Sequence, residues 1–171
     1  MSSRRIFMMA SGAMASSLMA RKASANSRVR VAVLGVNGRG RDHISGFQGV
    51  KDAEVVMLCD PDANILAERA EQFEAKYARK VATTQDLRKV FDSKEVDAVS
   101  IATPNHWHAL ATIWGLQAGK HVYVEKPSSH TVWEGRKMVE AQQRYGKVVQ
   151  VGTMNRSRPA VRQAIQFLHD G

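Results

Sequence analysis

The stretch "VAVLGVNGRGRDHI", at residues 31–44, decides the fold of this chain. Its apolar first part has the composition of a buried strand, and its polar last part begins near Gly40 with the spacing of a helix. Glycines lie between the two parts, and they permit a tight turn and a close approach of the backbone to another group. A strand that passes through such a turn directly into a helix predicts the opening unit of a doubly wound parallel sheet.

The rest of the chain continues this alternation of strands and helices. The strands are rich in Val and Ile and nearly continuous in apolar residues, which predicts burial on both faces and right-handed crossovers through the helices. We therefore expect a Rossmann α/β fold over residues 28–153, followed by a loop and one helix over 154–171. The predicted strands cover residues 29–36, 53–59, 80–83, 97–103, 121–125 and 147–153, and the predicted helices cover 41–48, 61–80, 84–91, 106–119 and 131–146.

The glycines and one acid have the spacing of a dinucleotide site. Gly35 and Gly40 match the first and third positions of the pattern G-x-G-x-x-G, Asn37 holds the second, and Gly38 follows it. A helix that begins there would turn N–H groups and the positive end of its dipole toward a pyrophosphate. Asp60 ends the second predicted strand, 25 residues after Gly35, where a carboxylate can bind the ribose hydroxyls of NAD. The alternative is that Asp60 caps the helix that begins "PDAN".

The choice between NAD and NADP depends on the same acid. A carboxylate at Asp60 would repel a 2′-phosphate, which favours NAD over NADP. Two nearby cations, Arg39 and Arg41, could instead bind that phosphate, so NADP stays open as an alternative.

Two polar clusters follow the fourth and fifth predicted strands. They read "ATPNHWHAL" at residues 102–110 and "VYVEKPSSH" at residues 122–130. Because ligands of open parallel sheets bind beyond the carboxyl ends of the strands, both clusters are expected at one binding edge. With the glycine turn and Asp60, the segments "TPNHWH" and "EKP" make the chain resemble the Gfo/Idh/MocA group of NAD(P)-dependent oxidoreductases over about residues 28–171. An exported subgroup of that family looks especially similar.

The resemblance implies a set of site residues. Lys126 would lie between the nicotinamide and the substrate as the catalytic acid–base residue, before a cis Lys126–Pro127 bond. Glu125 would bind the ribose or the nicotinamide. The cofactor-binding residues would be Gly35, Asn37, Gly38, Arg39, Gly40, Asp60, Thr103, Pro104, Asn105, His108, Glu125 and Lys126.

The resemblance also implies features of the whole protein. Family members add a second α+β domain that holds the substrate, and residues 154–171 would be the start of the linker to it. This chain would then be truncated, since little sequence remains to bind a substrate. A sugar-like small molecule is the expected substrate, and the full-length protein is expected to be a homo-oligomer.

The composition excludes some classes of site. The formal net charge is +9, but four of the 25 basic residues lie within residues 1–25, which contain no acid, so the remainder carries 21 basic against 16 acidic residues. No basic block with interleaved aromatics remains, which argues against nucleic-acid binding. No metal site is predicted either, because no acid or thiol lies at ligand spacing from His106 and His108. Three tryptophans, Trp107, Trp114 and Trp133, are interpreted as packing residues.

Residues 1–25 have the layout of a signal peptide. "SRRIF" at residues 3–7 is followed by a moderately apolar run and then by Ala23-Ser24-Ala25, which fits a cleavage site. Ser3 before the arginine pair and Phe7 after it favour the twin-arginine export machinery and a periplasmic location. The alternatives are a basic tail and an ordinary secretory signal. The twin-arginine route carries folded proteins, so a cofactor bound in the cytoplasm could travel with this one.

Three functions stay open from the sequence. The first is an exported oxidoreductase that transfers hydride between a tightly bound NAD and a sugar or polyol. The second is an NAD-dependent glycosidase or lyase that oxidises its substrate transiently. The third is a non-catalytic nucleotide-binding fragment.

Overall fold

The computed structural model describes residues 28–171, in which strands and helices alternate as the sequence predicts. The signal peptide predicted for residues 1–25 lies outside the described residues. The strands are β1 Val29–Leu34, β2 Ala53–Cys59, β3 Ala82–Thr84, β4 Ala98–Ile101, β5 His121–Val124 and β6 Val149–Val151. The helices are α1 Arg39–Gln48, α2 Ala63–Tyr77, α3 Leu87–Asp92, α4 His108–Gln117, α5 Val132–Tyr145 and α6 Pro159–Asp170, with 3₁₀ turns at Asn105–Trp107 and Met154–Ser157.

The strands form one six-stranded sheet in the order β3-β2-β1-β4-β5-β6, and every neighbouring pair is parallel. This is the doubly wound sheet that the sequence predicts. The strand order reverses between β1 and β4, which are neighbours in the sheet although β2 and β3 lie between them in sequence. A crevice opens beyond the carboxyl ends of strands at such a switch point. The fold therefore directs a ligand to the residues that follow β1 and β4.

The centre of the sheet is buried on both faces. Val33 and Leu34 are adjacent in β1 and fully buried, but they belong to two different hydrophobic clusters on opposite faces of the sheet. Side chains alternate between the faces of a strand, so each face needs its own layer of helices. Burial on both faces explains why the strands read as nearly continuous apolar runs.

Several elements are shorter than predicted because turn residues take over their ends. Helix α2 begins at Ala63, since the side chain of Asp62 accepts hydrogen bonds from the N–H groups of Asn64 and Ile65 and so caps the helix. Strand β4 ends at Ile101, and the residues predicted to extend it form the turn that follows. Among the described residues, no helix is both long enough and apolar enough to span a membrane.

Candidate functional site

Gly35 sits where β1 meets the end of β4. Its φ is +80°, and a Cβ added to it would lie 2.8 Å from backbone atoms of both Ala102 and Thr103. Its N–H donates to the carbonyl of Cys59 at 2.8 Å, which ties it to β2 as well. A Cβ added to Gly40 would overlap the carbonyl oxygen of Gly35. Glycine is therefore required at both positions by close backbone contacts, as the motif predicts.

The middle of the turn is built differently from the pattern G-x-G-x-x-G. Gly38 has a φ of +48° and immediately precedes α1, and a Cβ added to it would meet no atom within 4 Å. The side-chain oxygen of Asn37 accepts a hydrogen bond from the Gly38 N–H at 2.9 Å. The left-handed conformation thus falls on Gly38 and not on Asn37. The turn stays open on the side from which a phosphate would approach the N-terminus of α1.

Asp60 is held at the end of β2 by two backbone donors. One carboxylate oxygen accepts from the Val36 N–H at 2.9 Å, and the other accepts from the Asp62 N–H at 3.0 Å. The helix cap is Asp62, so the alternative in which Asp60 caps α2 is not what the structure shows. Each oxygen of Asp60 retains acceptor capacity for a ribose hydroxyl.

A cleft of about 880 Å³ opens over these residues at the switch point. Five of the predicted site residues line it, namely Gly35, Asn37, Asp60, Thr103 and Pro104. The hydroxyl oxygen of Thr103 is buried and has no hydrogen-bond partner among the described residues. A glycine cradle, a fixed carboxylate and an unpaired hydroxyl around one cleft fit a dinucleotide.

Two tryptophans form an apolar part of the cleft wall. Trp107 follows β4 in a 3₁₀ turn, and Trp114 lies on α4, with ring centroids 6.5 Å apart in an edge-to-face arrangement. Both line the cleft, although the sequence suggests only a packing role for them. Their position after a strand that ends at the binding edge is the signal that could have placed them. Flat aromatic walls suit the adenine or nicotinamide rings of a dinucleotide.

Glu125, the first residue of "EKP", is buried and fully engaged inside the protein. Its Oε1 accepts from Arg39 Nε and from His43 Nε2, each at 3.0 Å, and its Oε2 accepts from the Lys126 N–H at 3.1 Å. Burial by itself would raise the pKa of Glu125, but the hydrogen bonds from Arg39 and His43 outweigh it and lower that pKa. Glu125 is therefore ionised at neutral pH.

His43 is a member of this cluster that the sequence analysis missed. It lies on α1 with 5% of its surface exposed, and its Nδ1 is 2.8 Å from the hydroxyl of the fully buried Ser100 on β4. Burial lowers the pKa of His43 despite the neighbouring carboxylate. The available signal was its position four residues after Arg39, which places both side chains on one face of a helix.

Arg39 begins α1 but points its side chain toward the EKP turn. Besides Glu125, its guanidinium donates to Asp42 Oδ2 at 2.7 Å. One further nitrogen lies 2.8 Å from the sulfur of Met154. These contacts leave 42% of the Arg39 side chain exposed, and its predicted role in cofactor binding stays a prediction.

His108 joins the two polar turns that the sequence predicted at this edge. It is 2% exposed, with Nδ1 2.6 Å from the carbonyl of Pro127 and Nε2 2.9 Å from the carbonyl of Thr103. Lys126 lies beside it, exposed, and is joined to Pro127 by a cis bond. Asn105 is exposed at the start of the 3₁₀ turn. The turns therefore converge, with Lys126 at the solvent side.

Within residues 28–171, no group of three His, Cys, Asp or Glu side chains could hold a metal ion.

Comparison with known proteins identifies the family that the Rossmann domain matches. The profile of the Gfo/Idh/MocA family, described as an oxidoreductase family with an NAD-binding Rossmann fold, matches residues 29–153. Inositol 2-dehydrogenase of Salmonella typhimurium is 33% identical over 130 residues, which are 75% of this chain and 38% of that protein. Levoglucosan dehydrogenase of Pseudarthrobacter phenanthrenivorans is 34% identical over 65% of this chain and 29% of its own length.

A third relative carries a different activity in its name. Glycosyl hydrolase family 109 protein of Shewanella pealeana is 32% identical over 70% of this chain and 27% of its own length. This chain thus spans less than two fifths of the length of these relatives.

Solved structures show the same architecture. Biliverdin reductase from Synechocystis, in complex with biliverdin and NADP⁺, matches with a TM-score of 0.68 and 28% identity over 74% of this chain and 38% of that one. The WlbA dehydrogenase from Bordetella pertussis, in complex with NADH and UDP-GlcNAcA, matches with a TM-score of 0.74 and 26% identity over 84% of this chain and 40% of that one. In these two structures, the neighbour is bound to a nicotinamide cofactor, NADP⁺ in the first and NADH in the second.

Proposed function

Because the chain belongs to the Gfo/Idh/MocA family of oxidoreductases with an NAD-binding Rossmann fold, we propose that it is the cofactor-binding part of an exported, NAD-dependent oxidoreductase. The substrate is a sugar or polyol, and the cofactor stays tightly bound between turnovers. One observation carries the proposal. The dinucleotide cleft and the Lys126 turn meet at the same carboxyl edge of the sheet, where the two ring nitrogens of His108 lie 2.6 Å from the carbonyl oxygen of Pro127 and 2.9 Å from that of Thr103.

The cleft favours NAD over NADP. Asp60 presents a carboxylate that two backbone N–H groups fix in place, and it would repel a 2′-phosphate. Arg39, which could have compensated that phosphate, is engaged with Glu125 and Asp42. Arg41, the other candidate cation, does not line the cleft, so the carboxylate of Asp60 favours NAD.

Each part of the site has its own task in the proposed reaction. A nicotinamide bound in the cleft would supply the hydride chemistry at the substrate carbon. The turn of Gly35 and Gly38 and the N-terminus of α1 bind the pyrophosphate, and Asp60 orients the ribose. In its neutral form, the amine of Lys126 would accept the proton of the substrate hydroxyl as hydride leaves the carbon, and the resulting ammonium would return it in the reverse direction. Its exposed position leaves space for a substrate beside the cleft.

A redox-neutral glycosidase or lyase is a second candidate, favoured by the similarity to the glycosyl hydrolase family 109 protein. Lys126 would serve there in the same way, because transient oxidation also removes a hydroxyl proton. Product analysis separates the two. The oxidoreductase converts a polyol into a carbonyl compound with matching reduction of NAD, whereas the glycosidase releases a sugar and leaves the redox state of NAD unchanged.

Cofactor binding can be tested directly on this chain. Trp107 and Trp114 line the cleft, so bound NADH should quench their fluorescence and accept their excitation energy. Trp107→Phe and Trp114→Phe should each reduce that transfer. Trp133→Phe is the matched control, because Trp133 lies on α5 with 67% of its surface exposed. An absence of quenching by NADH would overturn the proposal. Binding without turnover of any sugar or polyol by the full-length protein would favour a nucleotide-binding module.

A further inference from the structure

We infer that Arg39, His43 and Ser100 are positioning residues that keep Glu125 an ionised acceptor and, through it, hold the backbone of Lys126. The inference rests on the proposed function for the catalytic role of Lys126. Its structural content is independent of that role. It assigns to Arg39 and Glu125 a structural role within the protein. The cofactor contacts that the resemblance implies for these two residues are a separate prediction.

The carboxylate of Glu125 forms its hydrogen bonds within the protein. Its side chain is 7% exposed, and three internal donors use its two oxygens. A Cβ added to Gly152, which follows β6, would lie 3.1 Å from Oε1 and 2.8 Å from the hydroxyl of Tyr123. The backbone after β6 thus closes over the carboxylate. The other carboxylate oxygen, Oε2, accepts a hydrogen bond from the Lys126 N–H and so fixes the backbone of Lys126 just beyond β5.

The next step concerns the proton on His43. An ionised carboxylate only accepts hydrogen bonds, so His43 Nε2, 3.0 Å from Oε1, must carry a hydrogen. Burial lowers the pKa of His43 and favours the neutral ring. Nδ1 then accepts from the Ser100 hydroxyl at 2.8 Å. Ser100 therefore selects the tautomer that donates to Glu125.

The last step identifies the charge that keeps Glu125 ionised. The titratable groups that face it are Arg39 and His43 from α1, Tyr123 from β5 and the adjacent Lys126, and Asp42 pairs with Arg39 from the far side. Arg39 is the cation bonded directly to the carboxylate. Without it, burial would act against the charge, and because Arg39 also lowers the pKa of His43, the proton that the buried pair takes up would be shared between the Glu125 carboxyl and His43. A protonated carboxyl donates one hydrogen bond and competes with the arrangement that holds Lys126.

Carbon-13 NMR of the glutamate carboxyl groups, recorded as a function of pH, tests the inference without any turnover. In the wild-type chain, the Glu125 signal should not titrate between about pH 5 and pH 8, because its pKa is below the ordinary value of about 4.3. In Arg39→Met it should titrate within that window, and the Lys126 amide signal should move with it. A Glu125 signal that stays unchanged in Arg39→Met would overturn the inference.

Two variants control for general damage to the fold. Arg79→Met removes an arginine from another ion pair, with Glu54 at 2.9 Å, and should leave the Glu125 signal as in wild type. Arg39→Lys keeps the cation and should restore the wild-type titration. If Arg39→Met fails to fold, nitrogen-15 shifts of His43 in the wild type decide the case. A ring protonated at Nδ1 alone would contradict the arrangement.

An activity measurement tests whether the hydrogen bonds around Glu125 affect catalysis by Lys126. In the full-length protein, Arg39→Met should lose about tenfold in turnover from pH 8 to pH 5.5 relative to wild type, as one buried group takes up a proton. NADH affinity should stay within about threefold, because the change acts through Lys126 and not through the cleft. A wild type without any turnover, but with the expected NMR result, would refute the proposed function and leave the positioning network in place. A pH profile that matches wild type would overturn the link to Lys126.

Discussion

At the scale of single residues, the site depends on groups whose partners are fixed by the backbone. Asp60 accepts from two N–H groups, and Glu125 accepts from the N–H of Lys126. Such bonds leave the side chain one orientation and hold it there before any ligand arrives. A preorganised carboxylate does not have to be ordered when the ligand binds, which strengthens binding.

Asp60→Asn should weaken NAD binding and narrow the preference for NAD over NADP. The loss of a charge-assisted hydrogen bond corresponds to about 1.5–3 kcal/mol, or roughly 10- to 150-fold in Kd. NADP should lose less or gain, because repulsion of the 2′-phosphate is removed. Titration of both cofactors by tryptophan quenching measures the change.

The matched control is Asp62→Asn, two residues further on. It removes the same charge, and asparagine caps a helix about as well as aspartate does. NAD affinity should therefore hold. A wild-type chain that binds NADP more tightly than NAD would contradict the assignment of Asp60.

Lys126→Met should abolish most turnover and leave folding and cofactor binding intact. Methionine keeps most of the stem volume, and the lysine side chain is exposed, so little packing is lost. An acid–base group supplies about 10²–10⁴-fold in rate, or roughly 3–5 kcal/mol of barrier. Turnover of the full-length protein, the thermal midpoint and NADH affinity are the three measurements.

Lys137→Met serves as the control for the loss of a surface lysine. Lys137 lies on α5 and pairs with Glu140 at 2.6 Å. Its replacement should leave turnover unchanged. Normal turnover in Lys126→Met would refute its role, and a large fall in the thermal midpoint would show that the lysine supports the fold.

At the scale of elements, helix ends set the boundaries of the site. Helix α5 begins at Val132, separated from the EKP segment by four residues, with a capping box in which Thr131 Oγ1 accepts from the Glu134 N–H and Glu134 accepts from the Thr131 N–H. The same carboxylate accepts from the His130 N–H at 2.8 Å. The box thus fixes the residues that join β5 to α5.

Thr131→Ala should lower the free energy of unfolding by about 1 kcal/mol, since removal of a Thr cap usually costs about 0.5–2 kcal/mol. Thr131→Ser retains the oxygen and should behave nearly as wild type. Urea unfolding of the three chains measures the difference. Equal stability of the Ala and Ser variants would show that the cap contributes nothing here.

The elements were predictable where their signals are local. The apolar runs identified all six strands. The glycines and Asp60 identified the cleft, because close backbone contact requires glycine and ribose binding requires a carboxylate, and each requirement fixes the residue type at one position. His43 shares a helix face with Arg39, but no local signal in the sequence identifies the partners of His43 or Ser100. His43 contacts Ser100 and Glu125, which lie 57 and 82 residues away from it, and this arrangement depends on the register of β4 and β5. The role of Trp107 and Trp114 as cleft walls likewise depends on a turn whose shape the sequence does not specify.

At the scale of the whole molecule, export is the proposal that concerns the segment before the Rossmann domain. Replacement of Arg4 and Arg5 by lysine should leave the protein in the cytoplasm with residues 1–25 attached, because the arginine pair is the recognised part of the signal. Cell fractionation and the mass of the N-terminus measure this. Unchanged export of the double variant would contradict the twin-arginine route.

The order of strands in the sheet has a consequence for how the chain acquires its cleft. Pairing of β1 with β2 and of β2 with β3 joins neighbours in sequence, but Val31 of β1 pairs with Ala98 of β4, across two intervening strands and three helices. Closing that long loop costs more chain entropy than the local pairings do, so we expect it to form after them. Gly35 meets Ala102, and Arg39 meets Glu125, only after this closure. During synthesis, the half of the domain that emerges first can build its share of the sheet, yet it has no place to bind a nucleotide until β4 arrives.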